Sequence, residues 1–127
     1  MKALTFGSRD VQRGDEAKVY IGEGTGCYVT VLPLDTSDLS SCRSFAEAVK
    51  GSATGKTIIF IGAAANISTE DDRKFSKDGY DYDFATNHLG LQSIVADLRP
   101  ILVEGSRVLI VGSKLERQGK LDVDVVR

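Results

Sequence analysis

Thr57-Ile58-Ile59-Phe60-Ile61 carries four consecutive large apolar side chains with no polar residue between them. A strand with one wet face alternates apolar and polar side chains, so an unbroken run predicts a strand covered on both faces. That is the pattern of a parallel sheet lying between helices. Upstream, Asp35, Ser37 and Asp38 offer N-cap side chains for a helix running to about Lys50. Leu39, Cys42, Phe45, Ala46 and Val49 form its apolar stripe, and Gly51 and Gly55 flank the loop that follows. Downstream, a polar loop from Ser68 to Lys77 leads into a long helix from Tyr80 to Val103. Pro100 falls in its last turns, where it predicts a kink. Val108-Leu109-Ile110-Val111 then reads as another buried strand.

The same alternation continues toward the N-terminus. Tyr28-Val29-Thr30-Val31-Leu32 is β-branched and aromatic and ends at Pro33, as a strand should. Arg9 to Ile21 reads as a helix with Val11, Ala17 and Ile21 on one side, stopped by Gly22-Glu23-Gly24-Thr25-Gly26. Ala3-Leu4-Thr5-Phe6-Gly7 is a short apolar strand. Strands expected near 3–7, 28–32, 57–61 and 107–112 thus alternate with helices. Crossover connections of that kind predict an α/β fold with a parallel sheet and helices on both faces, in a single domain over 1–127. There is no internal repeat, low-complexity tract or dividing linker. Lys114 to Arg127 is polar at first and turn-rich, and carries no structural prediction.

Bulk properties exclude several classes of function. At 127 residues the chain can bury a core of its own. A formal net charge of −2 argues against nucleic acid as a partner, because phosphate neutralisation needs a basic surplus. The apolar runs are too short to span a bilayer. Met1 to Phe6 lacks an apolar core of signal-peptide length, which predicts a cytoplasmic protein and leaves an organelle open. Cys27, Cys42 and the single His88 have no metal-ligand spacing, so no metal is expected, and the cysteines read as reduced packing residues.

Two glycine-rich segments imitate phosphate loops. Gly51-Ser52-Ala53-Thr54-Gly55-Lys56-Thr57 is one residue short of GxxxxGK[ST], and it leaves a helix to enter a strand. A phosphate loop does the reverse, because the helix N-terminal amides must face the phosphates. Gly22-Glu23-Gly24-Thr25-Gly26 also runs from helix to strand, with Cys27 in the last glycine position of GxGxxG. It reads as a helix stop and tight turn.

The segment Gly79-Tyr80-Asp81-Tyr82-Asp83-Phe84-Ala85-Thr86-Asn87-His88-Leu89-Gly90 lies between the two apolar strands, the second of which leads to Ser113. Helix Asn, then buried strand, then Ser resembles the centre of the short-chain dehydrogenase/reductase family. Asp78 through Gly90 is similar to the "DGFE…NHLG" helix of its retinol-dehydrogenase-like and protochlorophyllide-reductase-like branch. The resemblance implies an incomplete three-layer Rossmann-like parallel sheet made of family strands two to five. The central first strand, with its TGxxxGIG turn, has no counterpart in the 127 residues.

Site residues follow from the resemblance position by position. Asn87 corresponds to the family Asn that stabilises a helix irregularity and holds a water in the proton relay. Ser113 corresponds to the Ser that hydrogen-bonds the substrate carbonyl. Arg9, just past the first strand, matches a basic residue that meets the 2′-phosphate of NADP, although it could equally begin a solvated helix. Asp35, in Leu34-Asp35-Thr36-Ser37-Asp38, matches the Asp of "LDLS" near the adenine, where an N-cap role serves as well. Gly62-Ala63-Ala64 matches the "NNAG" turn, with Gly62 and Ala63 in place of both asparagines and Ala65 in place of the glycine. The amide bonds that brace the sheet are therefore missing, and Asn66 comes too late to supply them. His88 reads as a packing or interface residue.

The implied function is NAD(P)-dependent hydride transfer to or from an alcohol or carbonyl of a small molecule, with NADP as the cofactor. A homo-oligomer formed through the helix over 80–103 is also implied. No tyrosine follows Tyr82, so the YxxxK pair of the family is lacking, and Lys114 and Lys120 have no geometry to replace its lysine. The isolated chain is accordingly expected to be inactive. Its alternatives are a catalytically dead α/β interaction module or a truncated gene product.

Overall fold

The computed structural model describes residues 3–114 and 117. Lys120 and the rest of the C-terminal stretch lie outside the described residues. Four strands and the helices between them alternate as expected, in two compact units, Met1–Asp35 and Thr36–Arg127.

The first unit holds strand β1 (Ala3–Ser8), helix α1 (Val11–Thr25) and strand β2 (Tyr28–Pro33). β1 and β2 pair in parallel, with Ala3 opposite Tyr28 and Ser8 opposite Pro33. Helix α1 begins one residue after Asp10, whose carboxylate accepts from the Arg13 amide at 3.1 Å. It runs through Gly22 and Gly24, beyond the expected stop at Ile21, and ends at Gly26 with φ 66°. Glycine inside a helix weakens it without breaking it, whereas the left-handed cap needs a residue free of Cβ. Gly14 is buried because α1 lies close on the sheet: a Cβ there would stand 2.6 Å from Val31 Cγ1.

The second unit holds α2 (Leu39–Ala53), β3 (Ile59–Gly62), a helical segment over 82–98 and β4 (Arg107–Ile110). Asp38, not Asp35 or Ser37, caps α2, accepting from the Ser40 and Ser41 amides at 2.8 and 3.3 Å. The Ser40 hydroxyl and then the Lys77 ammonium beside it hold the Asp38 carboxyl far below the usual carboxylate range. Asp78 accepts from the Leu39 amide at 2.9 Å, so the loop preceding the second helical segment is tied to the first turn of α2.

The expected continuous helix over 80–103 is composite. One α turn, α3 (Tyr82–Phe84), passes into a π turn (Ala85–Leu89), then α4 (Gly90–Leu98) and a 3-10 turn, Arg99–Ile101. Pro100 sits in that last turn, where helical hydrogen bonding is already ending, so it finishes the helix instead of kinking it. Cys42, Phe45 and Ala46 of α2 and Leu91, Ile94 and Leu98 of α4 are buried where the two helices pack.

β3 and β4 pair in parallel, with Ile61 opposite Leu109 and Gly62 opposite Ile110. The described strands thus form two two-stranded sheets, β1-β2 and β3-β4. Two burial expectations fail, since Val108, Leu109, Ile110 and Val111, also expected to form a buried strand, are 41%, 46%, 45% and 63% exposed. The run at 57–61 was read as covered on both faces, yet Ile59 and Ile61 are 63% and 61% exposed. α4 covers the face carrying Gly62, where Leu91 and the Ile110 side chain close over the backbone. Within the second unit, nothing among the described residues forms the second helical layer that a two-faced apolar strand requires.

Candidate functional site

The centre of the second unit is the junction between the loop after β3 and the helical segment at 82–90. Asp81 caps that segment, accepting from the Phe84 amide at 3.0 Å. The chain then widens into the π turn, in which the Gly90 amide bonds the Ala85 carbonyl, five residues back. π turns inside α-helices frequently mark functional positions. Asn87 lies within this one.

The Asn87 side chain is aimed at the loop. Its Oδ1 accepts from the Asn66 amide at 2.6 Å and its Nδ2 donates to the Asn66 carbonyl at 2.7 Å. Both backbone groups of one loop residue are thereby satisfied by one side chain on the helix. Four residues earlier on the segment, Asp83 accepts from the Ser68 amide (2.6 Å), the Ser68 hydroxyl (2.9 Å) and the Asn66 side-chain amide (2.6 Å). Burial pushes the Asp83 carboxyl up. The Ser68 amide, the Asn66 and Ser68 side chains and the Lys74 charge more than offset this and hold it below its ordinary value. Asn66, Ser68 and Asp83 had no part in the sequence-based site. The available signal was the i, i+4 spacing of Asp83 and Asn87, which puts two polar side chains on one helix face.

The remaining site residues are placed as follows. Gly62 ends β3 and is buried, while Ala63 and Ala64 follow it and are exposed. Ser113 comes three residues after the end of β4 and is exposed, as is Lys114. His88 stacks at a tilt on Phe84, with ring centroids 5.2 Å apart, which is a packing contact. In the first unit, Arg9 is exposed immediately beyond β1 and Asp35 is half-buried beyond β2. Ala63, Ala64, Ser113, Arg9 and Asp35 lie past the carboxyl ends of their strands, where ligands of open α/β sheets bind. Among the described residues no group of His, Cys, Asp and Glu could hold a metal ion, and no helix is long and apolar enough to cross a membrane.

Each unit, taken by itself, offers one feature that suits a dinucleotide. Small residues after β3 leave the backbone approachable, and Arg9 offers a cation at a strand end. The helix N-termini tell against the phosphates. α1, α2 and the segment starting at Tyr82 each open on an aspartate whose carboxylate accepts from one or two of the first amides. Helix N-termini bind phosphate through those same amides.

No family model matches the chain. A chloroplastic protochlorophyllide reductase of Chlamydomonas reinhardtii is 31% identical over 114 residues, 87% of this chain and 28% of that protein. A short-chain dehydrogenase/reductase of Armillaria gallica is 31% identical over 124 residues, 93% of this chain and 40% of that protein. Among solved structures, an uncharacterized protein from Mycobacterium Paratuberculosis superposes with a TM-score of 0.75 at 28% identity, over 94% of this chain and 40% of that one. A short chain dehydrogenase from Burkholderia cenocepacia in complex with NADP gives 0.66 at 20% identity, over 97% and 49%. The chain therefore spans less than half the length of each of these proteins.

Proposed function

The 127 residues belong to the short-chain dehydrogenase/reductase family and cover part of its fold, and on that premise we propose that they form the NADP-facing and substrate-orienting portion of an oxidoreductase, without activity when isolated. The whole enzyme would move hydride between the nicotinamide of NADP and an alcohol or carbonyl of a small molecule. In it, Arg9 meets the 2′-phosphate and Asp35 the adenine. Gly62, Ala63 and Ala64 let the dinucleotide approach the backbone. Ser113 donates to the substrate carbonyl, and Asn87 holds the water of the proton relay. The helix over 80–103 provides the contact between copies, and a cytoplasmic or organellar location suits either setting.

One observation carries the inactivity of the isolated chain. Among the described residues, α1, α2 and the segment starting at Tyr82 each carry an aspartate carboxylate on one or two of their first amides, which disfavours a pyrophosphate there. The proton-transferring Tyr and its Lys are absent as well, and members of a catalytic unit fail together. Incubated with NADPH and a panel of small ketones and aldehydes, the isolated chain should give no turnover above buffer. Turnover that disappears in Ser113→Ala would overturn the proposal.

A second reading, an α/β module that binds a protein partner, is favoured by the bare apolar face carrying Ile59 and Ile61. Partner capture that persists in Ser113→Ala and is lost in Ile61→Lys would favour that reading over the first.

A further inference from the structure

We propose that Asp83 is a positioning residue that braces the turn after β3, taking over the work of the paired amides that Gly62 and Ala63 cannot do. The inference rests on the reading of Gly62-Ala63-Ala64 as the turn a dinucleotide approaches, although the bracing can be measured without any ligand.

The turn itself has no side-chain donors: Gly62, Ala63, Ala64 and Ala65 offer only backbone. Polar side chains resume at Asn66, and there the helix takes hold. Asn87 grips the Asn66 backbone at both its amide and its carbonyl. That grip by itself fixes the two peptide groups that flank Asn66 and holds nothing beyond them. Asp83 adds three bonds, to the Asn66 side chain and to the amide and hydroxyl of Ser68, all between 2.6 and 2.9 Å. Two of the three are to groups two residues beyond the Asn87 contact, so the loop is held at two separated points and cannot rotate.

The chemistry suits a brace. An ionised carboxylate only accepts, and all three partners are donors, so no rearrangement of protons leaves a competing pattern. Bonds to a charged acceptor are roughly twice as strong as neutral ones. The site is partly sheltered: Asn66, Ser68 and Asp83 are all half-buried. Asn66 thus acts as the relay, with its backbone read by Asn87 and its side chain fixed by Asp83. An amide lost at positions 62 and 63 is replaced by one at 66, paired with an acid four residues before Asn87.

Hydrogen exchange and NMR of the side-chain amides on the 127-residue chain test this. Asp83→Asn keeps the size of the side chain but puts an NH2 where one carboxylate oxygen accepted. Exchange at the Asn66 and Ser68 amides should rise about tenfold or more. The Asn87 NH2 resonances should move toward those of a free amide, while the Leu91 and Ile94 amides stay protected. The reciprocal pair Asn66→Asp with Asp83→Asn restores an amide–carboxylate bond in reverse and should recover the Asn87 signal in part. A purely structural role would lower protection across α4 together with the loop, and the reciprocal pair would not recover it. Unchanged Asn66 exchange and an unshifted Asn87 amide in Asp83→Asn would overturn the proposal. If Asp83→Asn does not fold, Asn66→Ala removes the relay alone. It should speed exchange at the residue-66 amide several-fold while the Ser68 amide, bonded directly to Asp83, stays protected, and unchanged exchange at position 66 would equally overturn the proposal. None of these readouts involves NADPH, so the exchange result decides the brace whatever becomes of the dinucleotide reading.

Discussion

Gly90→Ala is expected to destabilise the second unit by about 3 kcal/mol or more, the largest effect of any single methyl group added to this chain. Gly90 opens α4 directly against the segment that leads into α2. A Cβ there would overlap the Thr36 carbonyl oxygen and stand 2.8 Å from the carbonyl carbon. Backbone cannot rotate aside as a side-chain tip can, so either α4 shifts and opens the Cys42, Phe45, Leu91 and Ile94 core, or Thr36 moves. Thr36 and Ser37 are themselves buried, and the Thr36 carbonyl accepts from the Cys42 thiol, so moving that segment is costly too. Gly51 in α2 supplies the control, because an added Cβ there meets nothing within 4 Å. Gly51→Ala should raise stability by about 0.5–1 kcal/mol, the ordinary preference of a helix for alanine. Urea unfolding of both variants measures the contrast. Equal and small effects would mean that the approach of α4 to Thr36 is not as close as described.

The second large effect is expected on the bare face of the β3-β4 sheet. Ile59, Ile61 and Leu109 are 63%, 61% and 46% exposed, and the parallel register places them on one side. Contiguous apolar patches of this kind drive association. The doubly substituted Ile61→Lys, Leu109→Glu chain sets opposite charges side by side across the two strands, which a sheet tolerates. It should lose most of the fluorescence enhancement of an apolar dye and most of its light scattering, with the far-ultraviolet circular dichroism unchanged. Ile94→Lys, by contrast, buries a charge at a fully buried position and should abolish the fold. Unchanged dye binding in the double variant would show that the face is covered in solution.

The sequence was legible wherever local chemistry decides structure. The run from Ile58 to Ile61 marked a strand, the stripe from Leu39 to Val49 marked α2, and Asn87 marked the centre of the helical segment. Parallel pairing followed from the crossover helices. What could not be read depended on which neighbours are present. Ile59 and Ile61 have the composition of a two-faced buried strand, and composition does not say whether a second layer arrives to cover them. Asp35, Ser37 and Asp38 are equally good caps by residue type, and only the entry angle of the chain selects Asp38. The π turn at Ala85–Leu89 has no local signature beyond the helix irregularity that the resemblance implies at Asn87. Asp83 carries no local signal of its role, because the loop from Asn66 to Ser68 that it holds lies 15 to 17 positions earlier. The site was half legible for the same reason: Asn87 could be read from its segment, but its partner residue is 21 positions away.

Titrating the isolated chain with NADPH, followed by nicotinamide fluorescence, tests most directly the claim that it carries adenosine contacts without an anchor for the phosphates. Weak association that does not saturate below roughly a millimolar is the predicted result, weakened further in Arg9→Ala. Saturable binding in the micromolar range, unaffected by Arg9→Ala, would contradict it, because some group other than the aspartate-capped helix termini would then be holding the phosphates.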